Sequence, residues 1–390
     1  MKSLIKKTFS ALMLGLNCVL PIKKNIIIFS QAKSRYSGNS RVMFEYLVDN
    51  GFDVFWLYTD DIQKNKISKN YEAHLIKIKS LKAISVVMQA RYFIISYSGS
   101  DLGYLWHIAK NNTVLNLWHG ICIKNIGLID EKFSSQVSKT FIRDETSYYT
   151  YMTASSDIDR YVTCVSHGLN VKSVLSTGNP RTDRYLRNLK ALNNDTARFI
   201  KILYAPTFRD YELDINLFFP FPDFDCENLQ SFFSQNSNIK IYLRPHPSDL
   251  QSNQQAKSLE DQFPDNIIYY SQLVCDDVDE QIEQFNVVIT DYSSIYIEPL
   301  LADTPCIFIP FDYDRYIKKR GLAYNYDLVT PGPKVTSFRA MLNSLESAVN
   351  GAPDWRLRRS LVVDMFFKYK DDGACQRIAE QILGFKNKKL

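Results

Sequence analysis

The sequence has 390 residues, of which 45% are hydrophobic and 23% are charged, close to the averages for globular proteins. This length predicts about two to three domains, and the composition excludes a disordered chain, a collagen-like repeat and a small disulfide-stabilised domain. The net charge of +5 is unevenly placed, because residues 1–41 hold eight basic side chains and no acidic one, whereas the remainder holds 39 basic and 42 acidic residues. Nucleic-acid-binding proteins more often spread basic residues over the folded surface, so we expect no nucleic-acid partner.

The N-terminal segment, residues 1–24, contains a fifteen-residue, mostly apolar stretch between Lys7 and Lys23. A membrane-spanning helix needs about 20 apolar residues, and no small-residue cleavage site of a signal peptide follows the stretch. An amphipathic segment in the membrane interface fits the flanking lysines best, whereas a buried first helix and a signal sequence are the alternatives. We therefore expect residues 1–24 to bind an anionic membrane surface.

The seven cysteines lie tens of residues apart and form no C-x-x-C pair. This spacing predicts neither a zinc site nor a disulfide framework, and scattered free thiols are typical of a reducing cytoplasm. No carboxylate cluster with metal-ligand spacing stands out, so we expect neither a metal ion nor a cofactor.

Short apolar runs recur along the chain and predict its strands. Most are too continuous for half-exposed antiparallel strands, so buried parallel strands with helical connections fit better. The pattern predicts an α/β fold with an N-terminal domain over 25–190, a second domain over 195–335 and C-terminal helices over 336–390. The runs lie at 25–30, 52–58, 74–79, 92–97, 114–118, 201–207, 239–247, 266–271, 285–294 and 305–311.

Two segments of the chain place polar residues at the ends of predicted strands, where open α/β sheets bind ligands. In the segment 115–127, His119 follows an apolar run and precedes Gly120, and Lys124 comes five residues later. An imidazole at such a position can take up a proton near neutral pH, or it can simply cap the strand. In the segment 204–210, Thr207 and Arg209 offer a hydroxyl and a guanidinium group to phosphate oxygens, with an exposed turn as the alternative.

Two later segments repeat this arrangement. In the segment 243–249, two prolines flank His246 next to Arg244, which suits negative charge developing on a phosphate, although a structural histidine in a turn is the alternative. In the segment 289–308, Glu298 follows a group of hydroxyl and carboxyl residues at the start of a predicted helix. Such groups bind an anion at a helix N-terminus or simply cap the helix. The group consists of Thr290, Asp291, Ser293 and Ser294.

Together these segments resemble the CDP-glycerol glycerophosphotransferase family, which includes the teichoic-acid primases and polymerases. The resemblance covers roughly residues 90–335. Two positions depart from the family pattern: Ile121-Cys122 stand where members have Thr-Pro, and Glu298 stands where members usually have Asp. The counterparts of the family motifs are Trp118-His119-Gly120, Tyr204 to Asp210, Arg244 to Pro247, Thr290 to Ser294, and a G-x-P-R-x-D element at Gly178 to Asp183 that contains Pro180 and Arg181.

The resemblance implies two Rossmann-like domains in a GT-B-like arrangement with a deep cleft between them. It implies an enzyme that transfers glycerol phosphate from CDP-glycerol to a hydroxyl of a lipid-linked saccharide or polymer, and it places this enzyme on the cytoplasmic face of a bacterial membrane. Transfer of ribitol phosphate from CDP-ribitol, a nucleotide-sugar glycosyltransferase and a non-catalytic synthase subunit are the alternatives. The chain is short for a polymerase of this family, which favours a primase-like enzyme.

The resemblance also implies roles for individual residues. His119 is expected to be the general base, and His246 is expected to stabilise charge on the diphosphate together with Arg244 and Arg209. Glu298 is expected to hold the ribose. The other expected substrate-binding residues are Gly120, Lys124, Pro180, Arg181, Thr207, Thr290, Asp291, Ser293 and Ser294.

Overall fold

The computed structural model describes residues 25–31, 35–192, 199–211 and 216–384. The predicted membrane segment, residues 1–24, lies outside these ranges. The described residues form two sheets in which every strand pair is parallel, with helices between the strands. The α/β fold class is therefore confirmed.

The first sheet has seven strands in the order β3-β2-β1-β4-β5-β6-β7. Strand β1 pairs with β2 on one side and with the central strand β4 on the other, so that Ile27 lies opposite both Val54 and Tyr92. All four residues of β1 are buried, as the continuous apolar run predicts. The strands are β1 (Ile27–Ser30), β2 (Val54–Tyr58), β3 (Leu75–Lys77), β4 (Tyr92–Ile95), β5 (Thr113–Asn116), β6 (Tyr151–Ala154) and β7 (Val174–Ser176).

The second sheet has five strands in the order β10-β9-β8-β11-β12. The strand order reverses between β8 and β11 here, and between β1 and β4 in the first sheet. Ligands in open α/β sheets bind beyond the carboxyl ends of strands at such reversals. The strands are β8 (Ile200–Tyr204), β9 (Ile239–Leu243), β10 (Ile267–Tyr269), β11 (Val287–Thr290) and β12 (Cys306–Phe308).

The helices of the first half connect its parallel strands. Helix α6 (Asp157–His167) shows why they form where they do. The Ser156 hydroxyl accepts a hydrogen bond from the Asp159 N–H at its start, and Gly168 ends it with φ +65°. Pro180 occupies the first turn of α7 (Pro180–Ala191), where its missing N–H costs no hydrogen bond. The helices are α1 (Gly38–Asp49), α2 (Asp61–Asn65), α3 (Leu81–Gln89), α4 (Trp106–Ala109), α5 (Gln136–Thr146), α6 (Asp157–His167) and α7 (Pro180–Ala191).

The second half contains a similar set of helices, and three of them lie in the stretch 336–384. Short 3₁₀ turns complete the loops, including Ser294–Tyr296 and Glu298–Ala302. The predicted helix after Ser293 is thus a pair of 3₁₀ turns. The α-helices are α8 (Cys226–Gln235), α9 (Leu250–Gln262), α10 (Tyr313–Lys319), α11 (Tyr326–Val329), α12 (Phe338–Val349), α13 (Arg356–Phe366) and α14 (Ala374–Gln381).

The final helix α14 returns to the first sheet. Ile378 and Leu383 belong to the same buried cluster as Ile27 and Phe29. The carboxylate of Asp183 accepts hydrogen bonds from the first two N–H groups of α14, at 2.9 and 2.8 Å. The chain therefore crosses between its two halves twice.

Within the described residues, no helix combines the length and the apolar character needed to cross a membrane. The six cysteines in these ranges are free thiols, as the spacing predicts. The domain bounds given above stay a prediction.

Candidate active site

Two adjoining cavities lie between the carboxyl ends of the two sheets. The larger has a volume of about 340 Å³ and is lined by loops that follow β1, β4 and β5 in the first half and β8 to β11 in the second. The smaller has a volume of about 290 Å³. Pro206, His246 and Ser293 line both. Loops from both sheets thus meet around one cleft.

His119 lies on a tight turn that follows β5 and borders the larger cavity. The preceding Trp118 has a left-handed backbone with φ +53°, a conformation that costs about 1–3 kcal/mol and is found mostly at functional sites. Two side-chain amides hold the turn: Asn116 Oδ1 accepts from the Trp118 N–H, and Asn39 Nδ2 donates to the Trp118 carbonyl at 3.0 Å. The surrounding structure therefore fixes the position of the imidazole.

The His119 ring packs between two aromatic rings, with its centroid 4.7 Å from that of Tyr97 and 4.2 Å from that of Trp118. Its Nδ1 is buried and has no hydrogen-bond partner among the described residues. Burial, with a contribution from the nearby Arg181 guanidinium, lowers the pKa of His119 to about 3. The ring is therefore neutral at physiological pH, with an open lone pair, and is a weaker base than a solvent-exposed imidazole.

His246 lines the cleft from the second half and is exposed to it. Its ring stacks on Phe208 with centroids 4.9 Å apart. Its Nδ1 accepts a hydrogen bond from the Ser248 N–H at 3.2 Å, which assigns the proton of the neutral ring to Nε2. Burial lowers the pKa of His246, so the neutral ring can donate from Nε2 to a phosphate oxygen.

Arg181, on the first turn of α7, joins the two halves at the bottom of the cleft. Its Nε donates to Glu298 Oε1 at 2.6 Å, and its Nη1 donates to Asp279 Oδ2 at 2.8 Å. The same Nη1 donates to the His119 carbonyl at 3.0 Å. Burial raises the pKa of Glu298, and the Arg181 charge opposes that rise. Two carboxylates of the second half thus neutralise one buried cation of the first.

The Arg181 guanidinium explains why residue 120 is a glycine. Gly120 has φ +122°, and a Cβ atom there would lie 2.6 Å from Arg181 Cζ. Any other residue would strain the backbone and displace the arginine. Gly120, Pro180, Arg181 and Glu298 are therefore brought together, and their expected contacts with the substrate stay predictions.

Arg209 and Asp291 form a second buried unit beneath the cleft. Arg209 Nη2 lies 2.8 Å from Asp291 Oδ2 and 2.8 Å from Asp312 Oδ1. The guanidinium also lies over the rings of Tyr292 and Tyr316. Asp291 Oδ1 accepts from the Thr207 N–H at 2.8 Å. These contacts satisfy the hydrogen-bond donors of Arg209 within the protein. Arg209 therefore holds the loop that follows β8 against the loop that follows β11.

Arg244 contacts no carboxylate among the described residues. Its Nη1 donates to the backbone carbonyls of Tyr270 at 3.1 Å and Cys275 at 2.7 Å. Its guanidinium borders the larger cavity. Asp276 and Asp277 line the same cavity, so the wall around Arg244 carries charges of both signs.

The hydroxyl residues at the end of β11 differ among themselves. Thr290 is fully buried, and its Oγ1 donates to the Ala205 carbonyl at 2.7 Å. Ser293 lines both cavities, and its Oγ accepts from the Ile295 N–H at 3.3 Å. Ser294 opens the 3₁₀ turn and lines neither cavity. Only Ser293 of these three thus borders the cleft.

Lys124 and Thr207 border the smaller cavity. Lys124 has no ion pair with any described residue, and burial lowers the pKa of its ammonium group. The Thr207 Oγ1 is buried and has no partner in the described ranges. Both side chains therefore retain unused hydrogen-bond donors.

Arg35 lines the larger cavity and donates to Tyr97 Oη at 3.1 Å. It follows the first strand in the basic N-terminal segment, a position that in the sequence fits either the cleft or the membrane surface. Two other cleft residues escaped the sequence-based prediction. Asn39 holds the His119 turn, and Asp279 neutralises Arg181. These two act through long-range contacts that no local motif reveals.

In the ranges that the structure describes, no group of three or more His, Cys, Asp or Glu side chains is placed to hold a metal ion. The expected absence of a cofactor stays a prediction.

Comparisons with known proteins agree with this architecture. The chain is 25% identical to the teichoic acid glycerol-phosphate primase of Bacillus subtilis (strain 168), over 95% of this chain and 94% of that protein. It is also 25% identical to a teichoic acid ribitol-phosphate polymerase of Staphylococcus aureus (strain NCTC 8325 / PS 47), over 93% of this chain and 63% of that protein.

A solved structure of the wall teichoic acid polymerase TagF superposes with a TM-score of 0.74 at 21% identity, covering 97% of this chain and 93% of that chain. This likeness confirms the predicted fold, since TagF has the GT-B-like arrangement of two α/β halves. The sequence pattern of the CDP-Glycerol:Poly(glycerophosphate) glycerophosphotransferase family matches residues 12–384. The chain belongs to the CDP-glycerol:poly(glycerophosphate) glycerophosphotransferase family.

Proposed function

We propose that this protein transfers glycerol phosphate from CDP-glycerol to an acceptor hydroxyl and releases CMP. One observation carries the proposal: His119 and His246, from opposite halves of the chain, line one cavity together with Arg244, which forms no ion pair with a described carboxylate. Membership of the family supports CDP-glycerol as the donor. A structure of TagF with CDPG, which superposes with a TM-score of 0.72, agrees with that choice.

The reaction is a displacement at the phosphorus that bears glycerol. The acceptor oxygen forms a new P–O bond, and the bond from this phosphorus to the bridging oxygen of the diphosphate breaks. CMP leaves with that oxygen, and the acceptor proton passes to a base. Such transfers depend mainly on positioning and on stabilising charge.

The two histidines suit different parts of this reaction. His119 is neutral and fixed in place by the turn around it, so it can accept the proton of the acceptor hydroxyl. His246 can donate from Nε2 to an oxygen of the diphosphate, and Arg244 adds positive charge on the same wall. Ser293 is the hydroxyl placed to contact the donor between the two cavities.

CDP-ribitol is the second candidate donor. The similarity of this chain to a ribitol-phosphate polymerase favours this donor. CDP-ribitol and CDP-glycerol share CDP and differ only in the polyol. The larger cavity offers the same histidines and arginine to the diphosphate of either molecule.

The acceptor that we propose is a lipid-linked saccharide or polymer at the cytoplasmic face of the membrane. The basic segment 1–24 supports this location, since basic residues near anionic lipids contribute about 1 kcal/mol each. Deleting residues 1–24 should release the protein from anionic vesicles in a sedimentation assay. Continued binding of the truncated protein would contradict the proposed anchor.

A donor panel tests the reaction. Purified protein is incubated with a lipid-linked acceptor and CDP-glycerol, CDP-ribitol or a UDP-sugar, and the released nucleotide is measured. We expect CMP from CDP-glycerol and none from the control without acceptor. CMP from CDP-ribitol alone would select the second candidate, and release of UDP would indicate a glycosyltransferase.

A further inference from the structure

The segment that follows the proposed base His119 crosses into the second half of the molecule. This crossing segment comprises residues 121–125. Ile121 and Ile123 are each 1% exposed, and they belong to one buried cluster with Val288 of β11. Two apolar side chains of the first half are therefore built into the core of the second half.

The backbone of the crossing segment also pairs with the second half. The Ala323 N–H donates to the Ile123 carbonyl at 2.9 Å, and the Asn125 N–H donates to the Gly321 carbonyl at 3.2 Å. These two hydrogen bonds flank an antiparallel bridge that lies outside both sheets. Main-chain and side-chain contacts thus hold the same five residues against the second half.

Gly321 is the residue that permits this close contact. Its backbone has φ +69°, a conformation that favours glycine. A Cβ atom at this position would lie 2.2 Å from Asn125 Nδ2, so a larger residue would displace the Asn125 side chain. The loop after α10 therefore fits against the crossing segment only with a glycine at this position.

The crossing segment is fixed to the first half at both of its ends. Before it, Gly120 packs against the Arg181 guanidinium. After it, Gly127 has φ +56°, and a Cβ atom there would lie 2.2 Å from the carbonyl oxygen of Ser166 in α6. His119 therefore lies between a turn that the first half holds and a segment that the second half holds.

We propose that the crossing segment positions His119 on the second half, which also holds His246. Ile121, Ile123 and Gly321 are then its positioning residues. This inference rests on the proposed function for the roles of the two histidines. Two-domain enzymes commonly change the angle between their halves around a ligand, and a shift of about 1 Å at a reacting group can lower the rate about 10²-fold. The crossing segment keeps the base at a constant distance from the diphosphate site, because it moves with the half that forms that site.

Kinetics of the Ile123→Ala variant test the proposal. The smaller side chain leaves a cavity in the cluster and loosens the crossing segment. With CDP-glycerol and a lipid-linked acceptor, kcat for CMP release should fall about 10- to 100-fold, whereas the KM for CDP-glycerol should stay at the wild-type level. Ile123→Val is a milder truncation and should retain most of the wild-type kcat. Gly321→Ala removes no core side chain and should show the same split between kcat and KM as Ile123→Ala.

Val362→Ala is the matched control. Val362 lies on α13, belongs to the same buried cluster and is 3% exposed, but it lines neither cavity of the cleft. Its truncation should lower the midpoint of thermal unfolding, as Ile123→Ala does, and it should leave kcat unchanged.

Hydrogen exchange of the full chain gives a readout that does not depend on activity. The amides of Asn125 and Ala323 should exchange about tenfold faster in Ile123→Ala than in wild type, because the variant opens the bridge between the halves. Gly321→Ala should have the same effect, whereas Val362→Ala should leave both exchange rates unchanged.

The outcomes separate this inference from the proposed function. Equal losses of kcat in Ile123→Ala and Val362→Ala would assign the effect to lost stability and overturn the inference. A raised KM for CDP-glycerol with an unchanged kcat, or exchange rates that no variant changes, would also overturn it. A wild-type protein that releases no CMP would overturn the proposed function, whereas faster exchange in Ile123→Ala alone of these two variants would still support the link between the halves.

Discussion

The bottom of the cleft and the smaller cavity beside it differ in whether their charged and polar side chains have partners within the protein. At the bottom, Arg181 is enclosed by Glu298 and Asp279, with contacts of 2.6 and 2.8 Å respectively. In the smaller cavity, Lys124 and the Thr207 hydroxyl face space without a partner in the described ranges. Both regions contain motif residues, so a motif alone does not tell whether a side chain holds the fold or faces a ligand.

The contrast divides the charged residues of the cleft into two groups. Arg181 and Arg209 are satisfied by carboxylates of the protein, which suits residues that hold loops in place. Lys124 and Arg244 lack a carboxylate partner in the described structure. Breaking a buried pair is costly because it leaves an uncompensated charge, whereas removing an unpaired group costs the fold little. Mutation can therefore tell the two groups apart.

The largest effect is expected for His119→Ala, because this residue is the proposed general base and its turn contacts the bottom of the cleft. Its backbone carbonyl accepts from Arg181, and its ring borders the larger cavity. The variant keeps the carbonyl and loses the ring, so the rate of CMP release should fall about 10²- to 10⁴-fold. His107→Ala, a histidine that lines neither cavity, is the control. A near wild-type rate for His119→Ala would remove the proposed base.

Arg181→Ala should give the largest loss of stability. It leaves the buried Glu298 carboxylate without its partner, so the free energy of unfolding should fall by about 3–5 kcal/mol in urea denaturation. Adding Glu298→Gln should restore part of this loss, since the uncharged amide tolerates burial better. An Arg181→Ala protein with unchanged stability and no activity would instead place Arg181 on the substrate.

Two Thr→Val variants should have smaller effects on stability, and they compare a hydroxyl that has a partner with one that has none. Thr290→Val deletes a hydroxyl that donates to the Ala205 carbonyl at 2.7 Å, and it should lower the free energy of unfolding by about 1 kcal/mol. Thr207→Val deletes a hydroxyl without a described partner, so it should leave that free energy unchanged or raise it. Thermal denaturation of both variants measures the difference. Equal losses would mean that the Thr207 hydroxyl is satisfied in solution.

The smallest effect is expected for the pH dependence of activity. The pKa of His119 is lowered to about 3, so its neutral form persists as the pH falls from 7 to 5. Protonation of His119 should therefore produce no loss of kcat/KM in this range. Because the pKa in the unfolded chain is higher, at about 6.5, the neutral ring favours the folded state above that value. This stability is lost progressively as the pH falls from about 6.5 towards 3. A fall of kcat/KM at acid pH in wild type that is absent in His246→Gln would assign that fall to His246, whose pKa burial lowers.

The sequence predicted most of the two sheets. Each of the ten apolar runs overlaps a strand, because buried parallel strands need continuous apolar residues. No apolar run predicts strands β6 and β7. Strand β6 includes Thr153 and Ala154, and β7 has only three residues. Short strands with small or polar residues give a weak local signal.

The site was harder to predict than the fold. The cleft residues are polar groups at strand ends, and topology brings those ends together. The partners of those groups could not be foreseen, because Arg181 and Glu298 lie 117 positions apart and Asn39 meets the His119 turn from 79 positions away. Local patterns identify which side chains carry chemistry, whereas the contacts that satisfy them depend on the folded arrangement.

The return of α14 to the first sheet has a consequence for how this protein is made. The core around Ile27 and Phe29 includes Ile378 and Leu383, so the first half cannot complete its packing until those residues leave the ribosome. Residues 200–349 contain the second sheet and the helix that covers it, and they can pack without this delay. We expect the second half to acquire its native structure first during synthesis, reversing the usual N-to-C order of domain folding.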